Sequence, residues 1–428
     1  MAHSYSFLGV NTMVSQEKIL QVCDDLLVDT AIFLMRLVQF ESISSHEGPA
    51  MDWIYEQFKD ISDECEKIDV SEDIVKDPDY AFRIDNRPYK GRPNVRAVLK
   101  GDGTGKSTIF NAHVDVVPPS KGQNRPFDPY VDEGILYGRG ACDDKGQVAI
   151  LWTLFKALKK LGVRLKGDVI LHLVIEEETG GNGTLAMIRS GEKADCCINL
   201  EPCSNNILTS VRGAVWFTST FYGRAGHSGS SETTVSALDM AIEAINIIKE
   251  YHDELLGKTI NDDPFFSRYT NPMPVTFGQN EGGDWPAMAP QKQVFKGVFG
   301  FLTTPKEEVM SELEKRIKTR GPAWLRDNFE ISFQYRHDTS INNPELPFVK
   351  TLANCYKAMG VKSEIGAMPA STDLWFYTNI LGIPGLVTGC GNLMDAHTSK
   401  EQVILKDIII SAAVLTLFVK EWCGIEAA

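Results

Sequence analysis

The stretch FNAHVDVVPPS, residues 110–120, begins as a buried β-strand and then places a histidine and an aspartate two positions apart. The valines around them are β-branched and favour a pleated, buried strand. His113 and Asp115 are costly in such a strand unless another group satisfies them. The segment therefore predicts a strand whose end, just before two prolines, presents an imidazole and a carboxylate to a common partner.

Strands and helices alternate on both sides of this stretch. Residues 94–117 predict two strands joined by a glycine-rich turn, residues 145–162 a helix that ends at a glycine, and residues 168–178 a buried strand. An amphipathic helix over residues 16–40 precedes them. Strand, helix and strand in succession indicate a βαβ unit, so we expect an α/β fold with an at least partly parallel sheet.

After residue 212 the pattern changes to β-α-β-α-β, which predicts helices packed on a sheet of their own. The predicted elements are strands at 215–225, 290–302 and 328–336 and helices at 236–256 and 306–320. A helix at 348–360 and a short strand at 383–389 then resume the first pattern. A chain of 428 residues favours two domains. We predict a first domain of residues 1–212 and 337–428, interrupted by an insert at 213–336.

Composition limits the function classes. The formal net charge of −14 argues against nucleic acid or an anionic membrane as a partner, because both require basic surface. Nine irregularly spaced cysteines fit free thiols in a reducing compartment. The N-terminal residues 1–15 lack the apolar core of a signal sequence, and the apolar stretch 408–419 is too short to span a bilayer. We expect a soluble, cytoplasmic protein with a small-molecule substrate.

Five clusters of acids and histidines fall at predicted strand ends or in loops. They are HVD (113–115), GRGACDDKG (138–146), IEEETGG (175–181), LEP (200–202) and AHTSKE (396–401). In α/β sheets, ligands bind at the carboxyl ends of the strands. Mixed nitrogen and oxygen donors without cysteine suit Zn²⁺, Mn²⁺ or Co²⁺ in a catalytic site. The surplus of carboxylates predicts two ions that share a bridge, with Asp115 orienting His113 from behind.

In this order HVD, GRGACDDKG, EEETGG, EP, GHSG and AHTSKE resemble the M20-type dinuclear metallohydrolases, which include aminoacylase, acetylornithine deacetylase and carboxypeptidase G. The resemblance covers nearly the whole chain. It implies a metal-dependent exopeptidase-like catalytic domain, whose mixed, largely parallel sheet is flanked by helices. It also implies that the insert is an α+β dimerisation or lid domain, and hence that the protein is a homodimer.

Carried over residue by residue, the resemblance implies that Asp143 bridges two divalent ions. His113 and Glu201 would complete one site, and Glu178 and His397 the other. Water activated by two ions would be the nucleophile.

The resemblance also assigns three residues outside the ligand set. Glu177 would act as the general base, and Asp115 would orient His113. His227, in the insert, would reach into the partner subunit's site and help to stabilise the developing oxyanion.

The sequence departs from the family pattern in three places, which involve four residues. Glu176 replaces the usual first aspartate of the acidic triplet. Phe299 and Gly300 occupy the place where many relatives carry an arginine that binds the substrate α-carboxylate, with only Lys296 nearby, and Ala287 replaces an asparagine. Either the alignment is shifted by one or two residues, or the substrate is not an ordinary N-acyl α-amino acid.

The main hypothesis is therefore hydrolysis of an amide-type C–N bond in a small molecule, as in acetylornithine deacetylase. Two alternatives use the same site: a deformylase of an N-formyl-aminopyrimidine, or an aminohydrolase of an aromatic amine such as a nitroanthranilate. The aromatic residues Trp216, Phe217, Phe221, Trp285 and Trp375 would suit a flat substrate, although large aromatic side chains are more often core residues. A non-catalytic binding protein would show a broken ligand set, and a phosphoesterase would need a basic cluster; the sequence shows neither.

Overall fold

The computed structural model describes residues 14–81, 87–230 and 232–427. Most of the N-terminal segment for which we expect no signal sequence lies outside the described residues. The α-helices in the described ranges are α1 (Gln16–Asp24), α2 (Leu27–Val38), α3 (Gly48–Phe58), α4 (Lys145–Leu161), α5 (Asn182–Arg189), α6 (Ala237–Thr259), α7 (Lys306–Arg320), α8 (Ala323–Asp327), α9 (Pro347–Ala358) and α10 (Leu405–Trp422).

The strands in the same ranges are β1 (Glu64–Ile68), β2 (Asn94–Leu99), β3 (Thr108–His113), β4 (Tyr130–Asp132), β5 (Ile135–Tyr137), β6 (Val163–Leu165), β7 (Val169–Val174), β8 (Cys197–Leu200), β9 (Ile207–Val211), β10 (Gly213–Tyr222), β11 (Val275–Gly282), β12 (Lys292–Phe301), β13 (Phe329–His337), β14 (Ser340–Ile341), β15 (Ile365–Met368), β16 (Gly385–Thr388), β17 (Gln402–Ile404) and β18 (Ile425–Ala427).

The larger sheet has the strand order β1-β2-β7-β3-β8-β16-β9-β14, with β15 paired to β9. Its centre, β7-β3-β8-β16, is parallel, whereas β1, β2 and β14 add antiparallel edges. Every residue of β3 and β7 is buried, as expected for parallel strands covered on both faces. The predicted mixed, largely parallel α/β sheet is confirmed.

Helices α4 and α10 pack against each other, and α1 and α2 pack against α4. Helix α4 is almost entirely buried along its first 14 residues, which explains its nearly continuous apolar sequence. It ends as predicted at Gly162, whose φ of 61° is the left-handed conformation that closes many helices. Its first residue, Lys145, follows Asp143 and Asp144 directly, so the helix start fixes where these two carboxylates lie.

A second, separate sheet has the order β11-β12-β10-β13. Helices α6 and α7 cover one of its faces and share an apolar core with it, in which Phe217, Phe221 and Phe299 are buried. This sheet and its helices fall within the predicted insert, whose boundaries as a domain remain a prediction.

One sequence expectation was wrong in detail, because the opening helix breaks at Asp25–Leu26 into α1 and α2. Strands β2 and β3 are joined by the glycine-rich segment as predicted, and in the sheet they lie on either side of β7. Strand β11 was missed because its sequence, VTFGQNEG, is mostly polar and exposed, and its ladder with β12 decides its conformation.

The cysteines and the helices bear on the environment that the sequence predicts for the protein. All nine cysteines are free, and all but Cys65 are buried. Among the helices of the described ranges, none has the length and apolar character needed to cross a bilayer.

Candidate metal centre

The predicted site residues converge at the carboxyl edge of the parallel strands. His113 is the last residue of β3, Glu177 lies three positions after β7, and Glu201 follows β8 directly. His397 comes from the loop between β16 and β17. Because neighbouring parallel strands end at the same edge, residues far apart in sequence meet there.

One group of potential ligands combines His113, Asp143, Asp144 and Glu201, which are all buried and offer donor atoms within 4.8 Å of one another. His113 Nε2 lies 3.1 Å from Asp143 Oδ1. The backbone N–H of His113 donates to Asp144 Oδ2 at 3.0 Å, whereas the buried Asp144 Oδ1 has no hydrogen-bond partner among the described residues. A buried acceptor without a donor is costly, and a cation would satisfy it.

A second group combines Asp143, Glu178 and His397, again with donor atoms within 4.8 Å of one another. His397 Nε2 lies 3.2 Å from Asp143 Oδ2 and 3.0 Å from Glu178 Oε1. Asp143 therefore presents one oxygen to each histidine and belongs to both groups. This arrangement is what a carboxylate shared by two cations requires.

Asp115 supports both the histidine and the acidic loop. Its Oδ1 accepts the N–H of Glu177 at 3.0 Å, and its Oδ2 accepts the N–H of Glu178 at 3.2 Å and the hydroxyl of Ser44 at 2.9 Å. His113 Nδ1 lies 2.9 Å from the backbone oxygen of Asp115 and 3.4 Å from its carboxylate. A proton on Nδ1 would leave the Nε2 lone pair directed at the acidic groups.

The electrostatics of the site are those of crowded, buried carboxylates. Burial and the charge of Glu201 hold the pKa of Glu177 well above its usual value, and burial and Asp143 raise the pKa of Glu178. Hydrogen bonds with Asp143 and Glu178 outweigh burial and raise the pKa of His397 to about 11. Groups that attract protons this strongly also attract divalent cations, so the donor set fits metal ions.

Glu177 lies beside the first ligand group. Its Oε2 is 4.0 Å from His113 Nε2, and its side chain is only 12% exposed. The Tyr335 ring packs beside the same loop, where a Cβ at Gly180 would lie 3.2 Å from it. Burial and the charge of Glu177 hold the pKa of the Tyr335 phenol well above its usual value.

Glu401 anchors the loop that carries Asp143. Its Oε1 accepts the backbone N–H groups of Gly140, Cys142 and Asp143 at 2.9, 3.2 and 3.1 Å, and its Oε2 forms a buried ion pair with Arg139. One carboxylate therefore shapes the whole turn between Gly140 and Asp143.

We expect Glu401→Gln to lower the free energy of unfolding by about 3–5 kcal/mol, because it leaves Arg139 buried without its partner. Metal affinity should fall about 10–100-fold, as for other residues that orient a ligand from behind. Chemical denaturation and metal titration measure the two effects. Glu345, an exposed glutamate, offers the control Glu345→Gln, which should change neither. Wild-type metal affinity in Glu401→Gln would show that the turn does not depend on this carboxylate.

Glu176, the departure in the acidic triplet, faces away from the ligand groups. It pairs with the buried Arg92, which also donates to Glu47 at 2.8 Å, and it accepts the hydroxyl of Tyr89 at 2.9 Å. Its φ of 62° is unusual for a residue with a side chain. The buried pair holds this turn, and the turn aims Glu177 and Glu178 at the site.

A chain of buried side-chain hydrogen bonds leads from Tyr377 through strands β3 and β8 to Glu201. Asn199 donates to Glu201 Oε1 at 3.3 Å, Asn111 donates to Asn199 at 3.0 Å, and the Tyr377 hydroxyl donates to Asn111 at 2.9 Å. These neutral groups orient the carboxylate without adding charge.

Two acidic residues near the site were missed from the sequence. Asp144 was missed because the family motif assigns the ligand role to its neighbour Asp143, although the doubled aspartate is a visible signal. Asp373 lies in STDLWF, a stretch of mixed polar and aromatic residues that contains no signal of a site residue. Burial raises the pKa of Asp373 to about 6, and its Oδ2 accepts the hydroxyl of Thr184 at 2.5 Å.

His227 is not part of either ligand group among the described residues. It lies on an exposed loop of the insert, where the N–H of Gly229 donates to its Nδ1 at 3.0 Å. A single chain does not test whether His227 reaches into a partner subunit's site, so that role stays a prediction.

Close packing surrounds Phe299 and Gly300, the two residues that stand where many relatives carry an arginine. Phe299 is buried and stacks on Tyr251, with 5.5 Å between the ring centroids. A side chain at Gly300 would meet Arg212 Nη1 at 3.0 Å and the backbone of Met273 at 2.8 Å. Neither position can present an arginine to the metal groups without repacking.

The suggestion of an aromatic surface for a flat substrate was mostly wrong. Phe217, Phe221 and Trp375 are buried core residues, and Trp285 is 69% exposed. Trp216 is half-buried and lines a cavity beside the site.

Comparison with known proteins places the chain in a family. The sequence profile described as peptidase family M20/M25/M40 matches residues 109–421. The N-formyl-4-amino-5-aminomethyl-2-methylpyrimidine deformylase of Halalkalibacterium halodurans is 27% identical over 369 residues, which are 79% of this chain and 85% of that protein. The deformylase of the same name from Bacillus subtilis is 28% identical over 380 residues, covering 81% and 87%.

Solved structures agree on the fold. A di-peptidase from Saccharomyces cerevisiae superposes with a TM-score of 0.78 at 14% identity, covering 96% of this chain and 98% of that one. The profile match spans all the predicted ligands, from His113 to His397, and confirms the resemblance drawn from the motifs. This chain belongs to peptidase family M20/M25/M40 and is a metal-binding hydrolase that acts on amide-type C–N bonds.

Proposed function

We propose that this enzyme is a deformylase, which hydrolyses the formamide of a small N-formylated amine to formate and the free amine. The observation that carries the proposal is the alignment of two N-formyl-aminopyrimidine deformylases over 79% and 81% of this chain. The packing at Phe299 and Gly300 supports it, because neither position offers an arginine for the α-carboxylate of an N-acyl amino acid.

Two divalent ions, zinc, manganese or cobalt, would be held by the two groups described above. His113, Asp143 and Glu201 would hold one ion, with Asp144 beside it, and Asp143, Glu178 and His397 would hold the other. Bound there, the ions would supply Lewis-acid activation of water and of the formyl carbonyl. Histidine and carboxylate donors accept all three metals, and availability in the cell decides among them.

Glu177 moves the proton in this mechanism. As the water oxygen bonds to the formyl carbon, a carboxylate oxygen of Glu177 accepts the water proton. When the C–N bond breaks, Glu177 gives that proton to the leaving nitrogen, so that a neutral amine and formic acid form, and the acid then releases its remaining proton to solvent to become formate. Burial raises the pKa of Glu177, which makes its carboxylate a stronger base for this transfer.

The insert at residues 213–336 would form the dimer contact and the lid. In a homodimer, His227 of the partner subunit would donate to the carbonyl oxygen as negative charge develops on it. The exposed position of His227 on its own subunit supports this assignment. A cytoplasmic location fits the nine free thiols, most of them buried.

A substrate panel tests the reaction. The protein is loaded with zinc, manganese or cobalt and assayed on N-formyl, N-acetyl and N-succinyl derivatives of benzylamine, on the formylaminopyrimidine itself and on aminobenzoates. We expect formate release, with kcat/KM at least about tenfold higher for formyl than for acetyl substrates, because Glu177 is nearly buried beside the ligand groups and a site shaped for the smaller acyl group discriminates against an extra methyl by about that factor. Faster release of succinate, acetate or ammonia would replace the deformylase proposal with a desuccinylase, deacetylase or aminohydrolase.

A further inference from the structure

The second sheet has two unlike faces. Helices α6 and α7 pack on the face that carries Phe217, Phe299 and Phe333. The other face borders a cavity of about 580 Å³, which is large enough for a small organic molecule. Thr179, the residue after Glu178, lines the same cavity, so the cavity begins at the metal-site loop.

The strand register arranges this open face in two rows. Trp216 lies beside Val298, which in turn lies beside Thr276, and these three form a largely apolar row. Two positions along the strands, Thr218 lies between Ser332 and Lys296 and starts a polar row. Residues two apart on a strand are separated by about 7 Å. A small ring that lies beside one row can therefore place a substituent at the other row.

The apolar row lies nearer to the metal groups. Trp216 stacks on Tyr335, with 5.6 Å between ring centroids and 20° between the planes. Tyr335 in turn packs against Gly180, where an added Cβ would lie 3.2 Å from its ring. Gly180 is two residues from Glu178, so the order outward is metal site, Trp216 row, Lys296 row.

Lys296 is the only ionisable side chain among the described residues that line the cavity. It is exposed, and no carboxylate oxygen of the described residues lies within 4 Å of its ammonium group. The neighbouring Gly278 leaves open space beside it, since a Cβ at that position would meet nothing within 4 Å. In a chain of net charge −14, this cavity therefore offers one positive charge to a ligand.

We propose that this face binds the part of the substrate beyond the scissile bond, as a planar ring beside Trp216 and a carboxylate at Lys296. The inference rests on the proposed deformylase function and specifies its substrate class: N-formyl aminomethyl derivatives of an aromatic acid. With the formamide at the metal groups, the ring reaches the Trp216 row, and a carboxylate opposite the aminomethyl group points to the polar row. The flexible lysine stem covers the remaining distance.

Paired substrates test the assignment. The metal-loaded enzyme is assayed on 4-(formamidomethyl)benzoate and on N-formylbenzylamine, which differ only in the carboxylate. We expect the carboxylated substrate to have a KM about fivefold lower, the upper range for a partly exposed ion pair. Lys296→Met should abolish this preference, and Lys296→Glu should reverse it. Lys292, another exposed lysine four residues away on β12, gives the matched control Lys292→Met, which should keep the wild-type preference.

The ring contact is tested in the same way. Trp216→Leu should raise KM for both aromatic substrates while leaving KM for N-formyl-n-butylamine within twofold, and Trp216→Phe should restore most of the affinity. Equal KM values for the two paired substrates, or a preference that survives Lys296→Met, would overturn the inference.

Binding of products separates this inference from the proposed function. Calorimetric titration of the metal-loaded protein with 4-(aminomethyl)benzoate and with benzylamine needs no turnover. If no formamide is hydrolysed but the acid still binds about fivefold tighter in a Lys296-dependent manner, the deformylase proposal fails and the binding face stands. If formamides are hydrolysed but Lys296→Met leaves the two binding constants in their wild-type ratio, the deformylase stands and the face is wrongly assigned.

Discussion

Glu177→Gln should lower kcat by about 10²–10⁴-fold, the usual contribution of a positioned general acid or base. Glutamine has nearly the same shape but cannot accept the water proton. The backbone N–H of residue 177 would still donate to Asp115, so the loop and its neighbour Glu178 should stay in place. Steady-state kinetics on the formamide substrate measures the loss.

Metal content separates a base from a ligand in this test. Glu177→Gln should retain its metal in full by elemental analysis, because Glu177 belongs to neither ligand group of the described residues. The matched variant is Glu178→Gln, one residue along, which should lose metal at the site shared with His397. Full activity in metal-loaded Glu177→Gln would mean that another group carries the proton. Loss of metal from Glu177→Gln would mean that its carboxylate is a ligand.

The parallel centre of the fold could be derived from the sequence because its strands and helices differ in period. The buried parallel strand β7 is a nearly continuous apolar run, and α4 ends at a glycine in the left-handed conformation. The edge strand β11 could not be derived, because exposed polar residues carry no periodic signal and only its pairing with β12 fixes it. Tertiary context decides such segments.

The ligand residues were predictable for a different reason. His113 ends β3, Glu201 follows β8 directly and Asp143 precedes α4, and carboxylates and histidines at such positions stand out against apolar neighbours. Asp144 and Asp373 were missed because their role depends on where other chain segments pass: Asp144 accepts the N–H of His113, 31 residues away, and Asp373 accepts the hydroxyl of Thr184. Contacts at this separation leave no pattern in one sequence.

The face of the second sheet that borders the cavity also could not be predicted from the sequence. The sequence offered a set of aromatic residues for a flat substrate, but only their positions in the sheet register tell core from surface. Phe217 and Trp216 are adjacent in sequence and lie on opposite faces, because side chains alternate along a strand. The candidate substrate contact is therefore a result of the register and not of composition.

Removing the metal should destabilise the protein strongly. Ions that bind only the folded chain stabilise it by about 4 kcal/mol when their free concentration is a thousand times the dissociation constant. The loss on chelation should be larger here than for a surface site, because the metal-free chain keeps several buried carboxylates together. Thermal unfolding before and after chelation measures it, and added zinc or manganese should restore the melting temperature.

The pH dependence of metal binding follows from the same groups. Without metal, hydrogen bonds with Asp143 and Glu178 outweigh the opposing effect of burial and raise the pKa of His397 to about 11. His397 therefore holds a proton near pH 7 that a cation must displace. As pH rises, fewer protons compete with the cation for this nitrogen, so apparent metal affinity should increase from about pH 6 to pH 8. Titrations in buffers of different ionisation enthalpy should show net proton release.

Asp143→Asn makes the test specific, because Asp143 is the one member common to both ligand groups of the described residues. Losing its charge should remove the metal-dependent rise in melting temperature and the proton release together, and abolish activity. The matched variant Asp144→Asn keeps the bridging carboxylate and should retain at least one ion. If Asp143→Asn bound two ions with unchanged proton release, the charge that joins the two sites would have to lie elsewhere. If Asp143→Asn instead bound one ion with wild-type affinity, the two ligand groups would be separate sites.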